Sequence, residues 1–217
     1  FYSAGSHVRR WGQDSGGVVD FFKILKEDGD YLVRLGSATI ETQHSLFTRY
    51  PNKRRHHLVI DSGACDYTGH YKKQIHDGFE LYDFDGNKEI SCRCYRPETK
   101  PLVLNVVCDP EVEVKAEHRS FSTQTQYQLL ATLPWQVSLF YFLFDDANSF
   151  LNASIGGEHI QIRSHSSLLV HASQWSEGVS INFFSEQQSP QQALATYSIY
   201  HFTLSSNQEG HYETQAS

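Results

Sequence analysis

Short runs rich in β-branched and aromatic residues recur about every ten positions along this chain, and no heptad or 3.6-residue periodicity accompanies them. Such runs stand at Val18 to Leu25, Tyr31 to Leu35, Leu58 to Ile60, Phe79 to Phe84, Ile90 to Tyr95, Leu102 to Cys108 and Val112 to Ala116. They continue at Gln126 to Leu133, Val137 to Phe144, His159 to Arg163, Leu168 to Ala172, Val179 to Phe184 and Tyr197 to Leu204. Turn chemistry separates them, as at Glu27-Asp28-Gly29-Asp30, Asp85-Gly86-Asn87, Asp109-Pro110 and Gly156-Gly157. The pattern predicts an all-β protein, an antiparallel β-sandwich or flattened barrel, most simply as two packed β domains. With 217 residues, the chain can close its cores without a metal or a disulfide framework.

Leu133-Pro134-Trp135 interrupts two apolar runs and marks the expected domain boundary, giving a first domain over 1–133 and a second over 134–206. Residues 207–217 read as a frayed tail, and no repeat of roughly 20 to 50 residues is visible. Lys plus Arg number 18 against 25 Asp plus Glu, a net charge of -7 with both signs scattered. That balance excludes nucleic acid as the main partner, because neutralising phosphates needs a concentrated basic excess. The one basic run, Lys53-Arg54-Arg55-His56-His57, reads as a solvated loop. Val137 to Phe144 is far short of the ~20 residues that cross a bilayer, so no membrane span is expected and the segment reads as a buried strand. No charged segment followed by an apolar one opens the chain, so a secretory leader is expected to be already removed or never present.

Cys65, Cys92, Cys94 and Cys108 are the four cysteines, all within one stretch. The one-residue gap in Cys92-Arg93-Cys94 places both side chains on one strand face and does not match paired zinc-ligand spacing. Two disulfides linking neighbouring strands are expected instead, with the connectivity open and Cys92 to Cys94 disfavoured by strain. Disulfides imply an oxidising compartment. Asn152-Ala153-Ser154 is a glycosylation acceptor read as lying in a turn between strands. Together these cues point to the secretory pathway, extracellular or in the endoplasmic reticulum lumen.

Catalytic motifs resolve into coincidences. The string Leu58-Val59-Ile60-Asp61-Ser62-Gly63 resembles the catalytic segment of an aspartic protease, which needs two carboxylates sharing one proton. The second copy, Asp14-Ser15-Gly16, does not follow an apolar strand, so only a dimer pairing Asp61 across two chains satisfies the chemistry. Gly12-Gln13-Asp14-Ser15-Gly16-Gly17 resembles a serine-protease nucleophile loop, but only His7 precedes it and the order of residues defeats that reading. The twelve histidines form no metal motif, and Asp83 to Asn87 lacks the ligands of a calcium loop and reads as a hairpin turn. No metal and no cofactor is expected.

One segment resembles a known family. Phe79-Glu80-Leu81-Tyr82, Asp83-Phe84-Asp85-Gly86, Cys92, Arg96, Leu102 to Asp109, Tyr127 and Leu133-Pro134 follow one another as in the mannose-6-phosphate-receptor-homology domain, a P-type lectin fold. Thr125 stands where that family has a cysteine and Phe121 where it has its glutamate, leaving Glu117 as a displaced substitute. The resemblance implies a mannose site of Gln74, Arg96, Glu117 and Tyr127, whose donors and acceptors would converge on adjacent hydroxyls. The expected protein is a secreted or luminal recognition protein without catalysis, binding a glycan or glycoprotein. The alternatives are a protein-interaction or structural subunit of an extracellular or viral surface assembly, or the dimeric aspartic protease built on Asp61.

Overall fold

Two jelly rolls in tandem account for almost every described strand. In the computed structural model the described residues are 9–11, 15–60, 65–69, 73–75, 81–130, 135–146, 149–171, 178–185, 196–207 and 213–216. Asp14, Asp61 and Pro134, on which sequence expectations rested, lie outside them. The chain divides into two compact units, Ala4–Val112 with His211–Ser217, and Glu113–Gly210 with Phe1–Ser3. The division falls at Val112, ahead of Pro134, so Glu113 to Leu129 belongs with the C-terminal unit.

The N-terminal unit holds β1 (Arg9–Trp11), β2 (Gly16–Leu25), β3 (Tyr31–Thr39), β4 (His44–Leu46), β5 (Arg54–Val59), β6 (Cys65–Thr68), β7 (Lys73–Ile75), β8 (Leu81–Asp85), β9 (Ser91–Cys94) and β10 (Leu102–Cys108). The C-terminal unit holds β11 (Glu113–Phe121), β12 (Gln124–Leu129), β13 (Trp135–Phe144), β14 (Phe150–Ile155), β15 (Glu158–Arg163), β16 (Ser167–His171), β17 (Val179–Phe184) and β18 (Tyr197–Ser206). The segment read as a frayed tail contains β19 (Glu213–Ala216), which pairs with β2 of the N-terminal unit.

In the N-terminal unit β3-β10-β5-β8 form the body of one sheet and β4-β9-β6-β7 the other, with β1, β2 and β19 extending the first. The C-terminal sheets run β11-β18-β13-β16 and β12-β17-β14-β15. Numbering each set of eight from its own start gives the same order twice, 1-8-3-6 against 2-7-4-5. That order is the double-sheet jelly roll, which is all-β and antiparallel as the sequence predicts.

The interiors of the two rolls differ. The C-terminal roll is filled by Tyr127, Phe140, Phe142, Phe144, Phe183 and aliphatic residues from both sheets, with Phe142, Phe183 and Ile181 fully buried. Phe183 touches Tyr127, Phe140 and Phe142 edge-on or tilted at 5.4 to 5.8 Å between centroids, a packing that favours aromatic pairs. The N-terminal roll packs a smaller cluster, including Ile40, Phe47, Val59, Tyr67, Ile90 and Val103, and keeps a polar cavity beside it. Between Asp20 and Phe22 the register of β2 against β3 shifts by a bulge. Gly36 lies opposite, where an added Cβ would come within 2.5 Å of the Val19 carbonyl oxygen. The missing side chain lets the bulged strand close on β3 and turn the Asp20 carboxylate toward Arg34.

Truncating Phe183 to alanine is expected to cost about 3 to 5 kcal/mol, read as a lower urea midpoint, because three rings pack against it and collapse only partly into the space it leaves.

Candidate functional site

The site begins with the run Lys53 to His57. Sequence patterning reads it as a solvated loop, yet Arg54 to His57 are the first four of the six residues of β5, and Lys53, Arg55, His56 and His57 are all buried. The strand alternates, so Arg55 and His57 face the interior of the roll with Asn105 of β10 and Arg34 of β3. These residues, with Asp20, Phe47, Thr48, Tyr50 and small or apolar residues of β2, β3 and β10, line a small cavity that opens to solvent.

Asn105 organises the polar wall. Its Oδ1 accepts hydrogen bonds from Arg55 Nε at 3.0 Å and Arg55 Nη2 at 2.8 Å, and it lies 2.8 Å from His57 Nδ1. Arginine can only donate, so the atom facing it is the amide oxygen, and His57 Nδ1 must carry the proton. His57 Nε2 is then the acceptor for the Tyr67 hydroxyl at 2.7 Å. Burial, followed by the Arg55 charge, pushes the His57 pKa down to about 3. The imidazole is neutral at physiological pH, with both nitrogens engaged. Burial likewise raises the Tyr67 hydroxyl well above its ordinary value, so it stays protonated as that donor.

The two guanidinium groups are not equivalent. Arg34 donates from Nε to Asp20 Oδ1 at 2.8 Å, pairs with it again through Nη2 at 2.7 Å, and donates from Nη1 to the Tyr50 hydroxyl at 3.1 Å. Its charge is neutralised locally. Arg55 has no carboxylate partner among the described residues. Its charge centre instead lies 4.6 Å from the ring of Phe47, 5.5 Å from Phe84 and 5.7 Å from Tyr50. Rings at these distances attract a cation but do not cancel its charge. Burial lowers the Arg55 pKa, although a guanidinium remains protonated at neutral pH. Asn105 takes two of its five N–H bonds, and Nη1 has only a long 3.5 Å contact to the Thr48 carbonyl. Donors on the terminal nitrogens therefore remain for a visitor. A buried cation without a counter-charge is costly, and here it lines an open cavity.

Backbone bonds tie the loop that carries Tyr50 to the turn after β8. The Tyr50 amide donates to the Gly86 carbonyl at 2.8 Å, and the Gly86 amide donates to the Lys53 carbonyl at 2.8 Å. A Cβ at Gly86 would come within 2.4 Å of the Tyr50 carbonyl oxygen. Asp85 and Asn87 form the expected hairpin turn, in which the Asn87 amide donates to Asp85 Oδ1 at 2.8 Å. Lys53 Nζ donates to Asp30 Oδ2 at 2.7 Å and to the Tyr31 carbonyl at 2.7 Å, and it also meets Asp109. It anchors the start of β5.

The residues expected to hold a sugar are divided between the two units. Gln74 lies in β7, with its side chain outside the described residues, and Arg96 is exposed before the turn Pro97–Thr99. Both belong to the N-terminal unit, whereas Glu117 and Tyr127 belong to the C-terminal one. Those two come together: Arg119 donates to Glu117 at 3.3 Å and lies 4.0 Å from the centre of the Tyr127 ring. Tyr127 is only 2 % exposed and forms part of the core, so its ring has no face for a ligand. Glu117 also meets His201 Nδ1 at 2.9 Å.

The expected disulfides are absent. Cys65, Cys92, Cys94 and Cys108 are free and buried. Cys65 lies directly opposite Cys94, and Cys92 opposite Tyr67, across β6 and β9. These three thiols pack in the apolar cluster of the N-terminal roll, where they behave as small hydrophobic residues. Asn152 is not in a turn either. It sits within β14, paired with both β15 and β17, and its Nδ2 is buried. An amide with no solvent access cannot carry a glycan.

No family model matches the sequence, and no curated protein matches it. Solved structures match the fold along nearly the whole chain. PA5104, a conserved protein of unknown function from Pseudomonas aeruginosa PAO1, superposes with a TM-score of 0.70 at 11 % identity, covering 94 % of this chain and 98 % of that one. HutD from Pseudomonas fluorescens SBW25, solved in a formate condition, gives 0.61 at 16 % identity with the same coverage. Oxalate decarboxylase from Lactobacillus farciminis, in a formate complex, gives 0.58 at 6 % identity over 97 % of this chain and 86 % of that one. The fold is thus cupin-like, which overturns both the P-type lectin resemblance and the secreted lectin read from it. The β6 and β9 cysteines belong to the second sheet of a jelly roll, not to a disulfide-tied lectin. Among the described residues, no helix is long and apolar enough to cross a membrane.

The cavity wall does not fit a metal ion: among the described residues that line it His57 is the single imidazole, and both its nitrogens are engaged.

An imidazole held below its ordinary pKa of about 6.5 supports folding fully above that value, and its contribution is lost as pH falls toward 3. At pH 5 the loss from His57 alone is about 2 kcal/mol relative to pH 8. Urea unfolding across this range is expected to show a shallower pH dependence in His57→Gln than in the wild type, because glutamine can both donate to Asn105 and accept from Tyr67.

Proposed function

We propose that the N-terminal roll binds a small organic carboxylate, with Arg55 as the group that holds it. The observation that carries this reading is the buried, carboxylate-free guanidinium on the wall of an open cavity, oriented by Asn105 and flanked by the rings of Phe47, Phe84 and Tyr50. A carboxylate would supply the missing counter-charge and accept the remaining N–H bonds in the planar geometry a guanidinium favours. The formate named with both HutD and oxalate decarboxylase supports the same ligand class.

The reading is of binding without chemistry. Among the described residues the wall offers no unengaged general base, since His57 is held neutral with both nitrogens bonded and Asp20 is paired with Arg34. Four free, buried thiols favour a reducing compartment over the secretory pathway.

Isothermal titration of the intact chain with formate, acetate and oxalate tests this. The ceiling of about 1.5 kcal/mol per non-hydrogen atom limits formate to about 4.5 kcal/mol, a dissociation constant no tighter than about 0.5 mM. Arg55→Gln is expected to weaken binding at least tenfold while circular dichroism remains that of the folded chain. Equal binding by the wild type and Arg55→Gln, or none by the wild type, would overturn the reading.

A further inference from the structure

We infer that the working charge of this roll is organic: the Arg55 guanidinium takes the part that a metal ion plays in a cupin-like fold, and the cavity excludes divalent metals. The inference rests on the carboxylate reading for the identity of the visitor, but its exclusion of metal stands on the wall itself.

A structural or catalytic zinc needs three or four lone-pair donors, and harder cations need about six oxygens. The His57 Nε2 lone pair accepts from Tyr67, and its other nitrogen carries a proton. Asn105 Oδ1 already receives two N–H bonds from Arg55 as well as the His57 proton. The Asp20 carboxylate carries the Arg34 ion pair. Recruiting any of these would break a buried hydrogen bond and leave its partner unsatisfied, at about 1 to 3 kcal/mol each. Among the described residues, no group of three or more His, Cys, Asp and Glu side chains could hold a metal ion. A dication would also enter beside a guanidinium whose own charge is uncompensated.

A specificity follows. A metal rewards ligands that chelate, whereas one guanidinium rewards a single planar pair of oxygens. A 2-hydroxy or 2-oxo group beside the carboxylate should therefore bring no chelate gain, and lactate should bind about as well as propionate.

The test uses untagged wild-type chain dialysed against EDTA. Metal content is read by mass spectrometry, Mn²⁺ and Zn²⁺ are titrated calorimetrically, and formate, propionate and lactate isotherms are recorded before and after dialysis. Trace metal content, no stoichiometric binding and unchanged carboxylate isotherms are expected. Stoichiometric Mn²⁺ or Zn²⁺ binding that His57→Asn abolishes would overturn the inference, as would carboxylate binding that disappears with EDTA and returns with metal. If neither metal nor carboxylate binds, exclusion of metal is upheld while the ligand assignment of the preceding section falls, so the two failures are distinct.

Discussion

Arg55, His57 and, through His57, Tyr67 are arranged in the N-terminal roll around one acceptor, the side-chain oxygen of Asn105. It receives two N–H bonds from Arg55 and a third from His57, and thereby fixes a charge, a tautomer and a hydroxyl direction together. An amide oxygen can do this without cancelling the guanidinium charge, which a carboxylate at that position would remove. Neutral imidazole and neutral phenol complete the chain, so the positive field in the cavity is left intact for what enters.

The two rolls have opposite characters on the same strand order. The C-terminal roll is closed by aromatic rings, with His201 lying 4.4 Å from Phe140 in a near-parallel stack at 7° and bonded to the partly exposed Glu117. The N-terminal roll replaces part of such a core with arginines, asparagine and histidine. The two interiors thereby differ in kind: one maximises burial, while the other gives up apolar packing to hold a cation in a low-dielectric wall.

The fold class was legible because strand rhythm and turn residues are local signals; most expected runs, from Val18 to Leu25 through Val179 to Phe184, became strands. The tandem relation was not, since a jelly-roll repeat is longer than the usual repeat periods and its two copies are filled with different chemistry. The candidate site was misread for a single reason. Lys53 to His57 carries charge on every face, so composition suggested solvent. Alternation beginning at Arg55 and continuing through His57 and Val59 was the available signal, and the apolar run Leu58 to Ile60 was its continuation. What sequence could not supply was Asn105, which lies on a distant strand and meets Arg55 only through the pairing of β10 with β5. The cysteines misled for a related reason: spacing reports a shared face, but not whether sulfur atoms bond or simply fill space. Asn152 misled because a three-residue motif carries no information about burial.

The pairing of Glu213–Ala216 with Phe22 to Leu25 has a consequence for how the molecule is made. During synthesis the N-terminal sheet emerges first, yet one of its edges waits for residues that leave the ribosome only after the whole C-terminal roll. Until then β2 presents open backbone groups beside β1, so this part of the N-terminal unit is finished last although it is translated early.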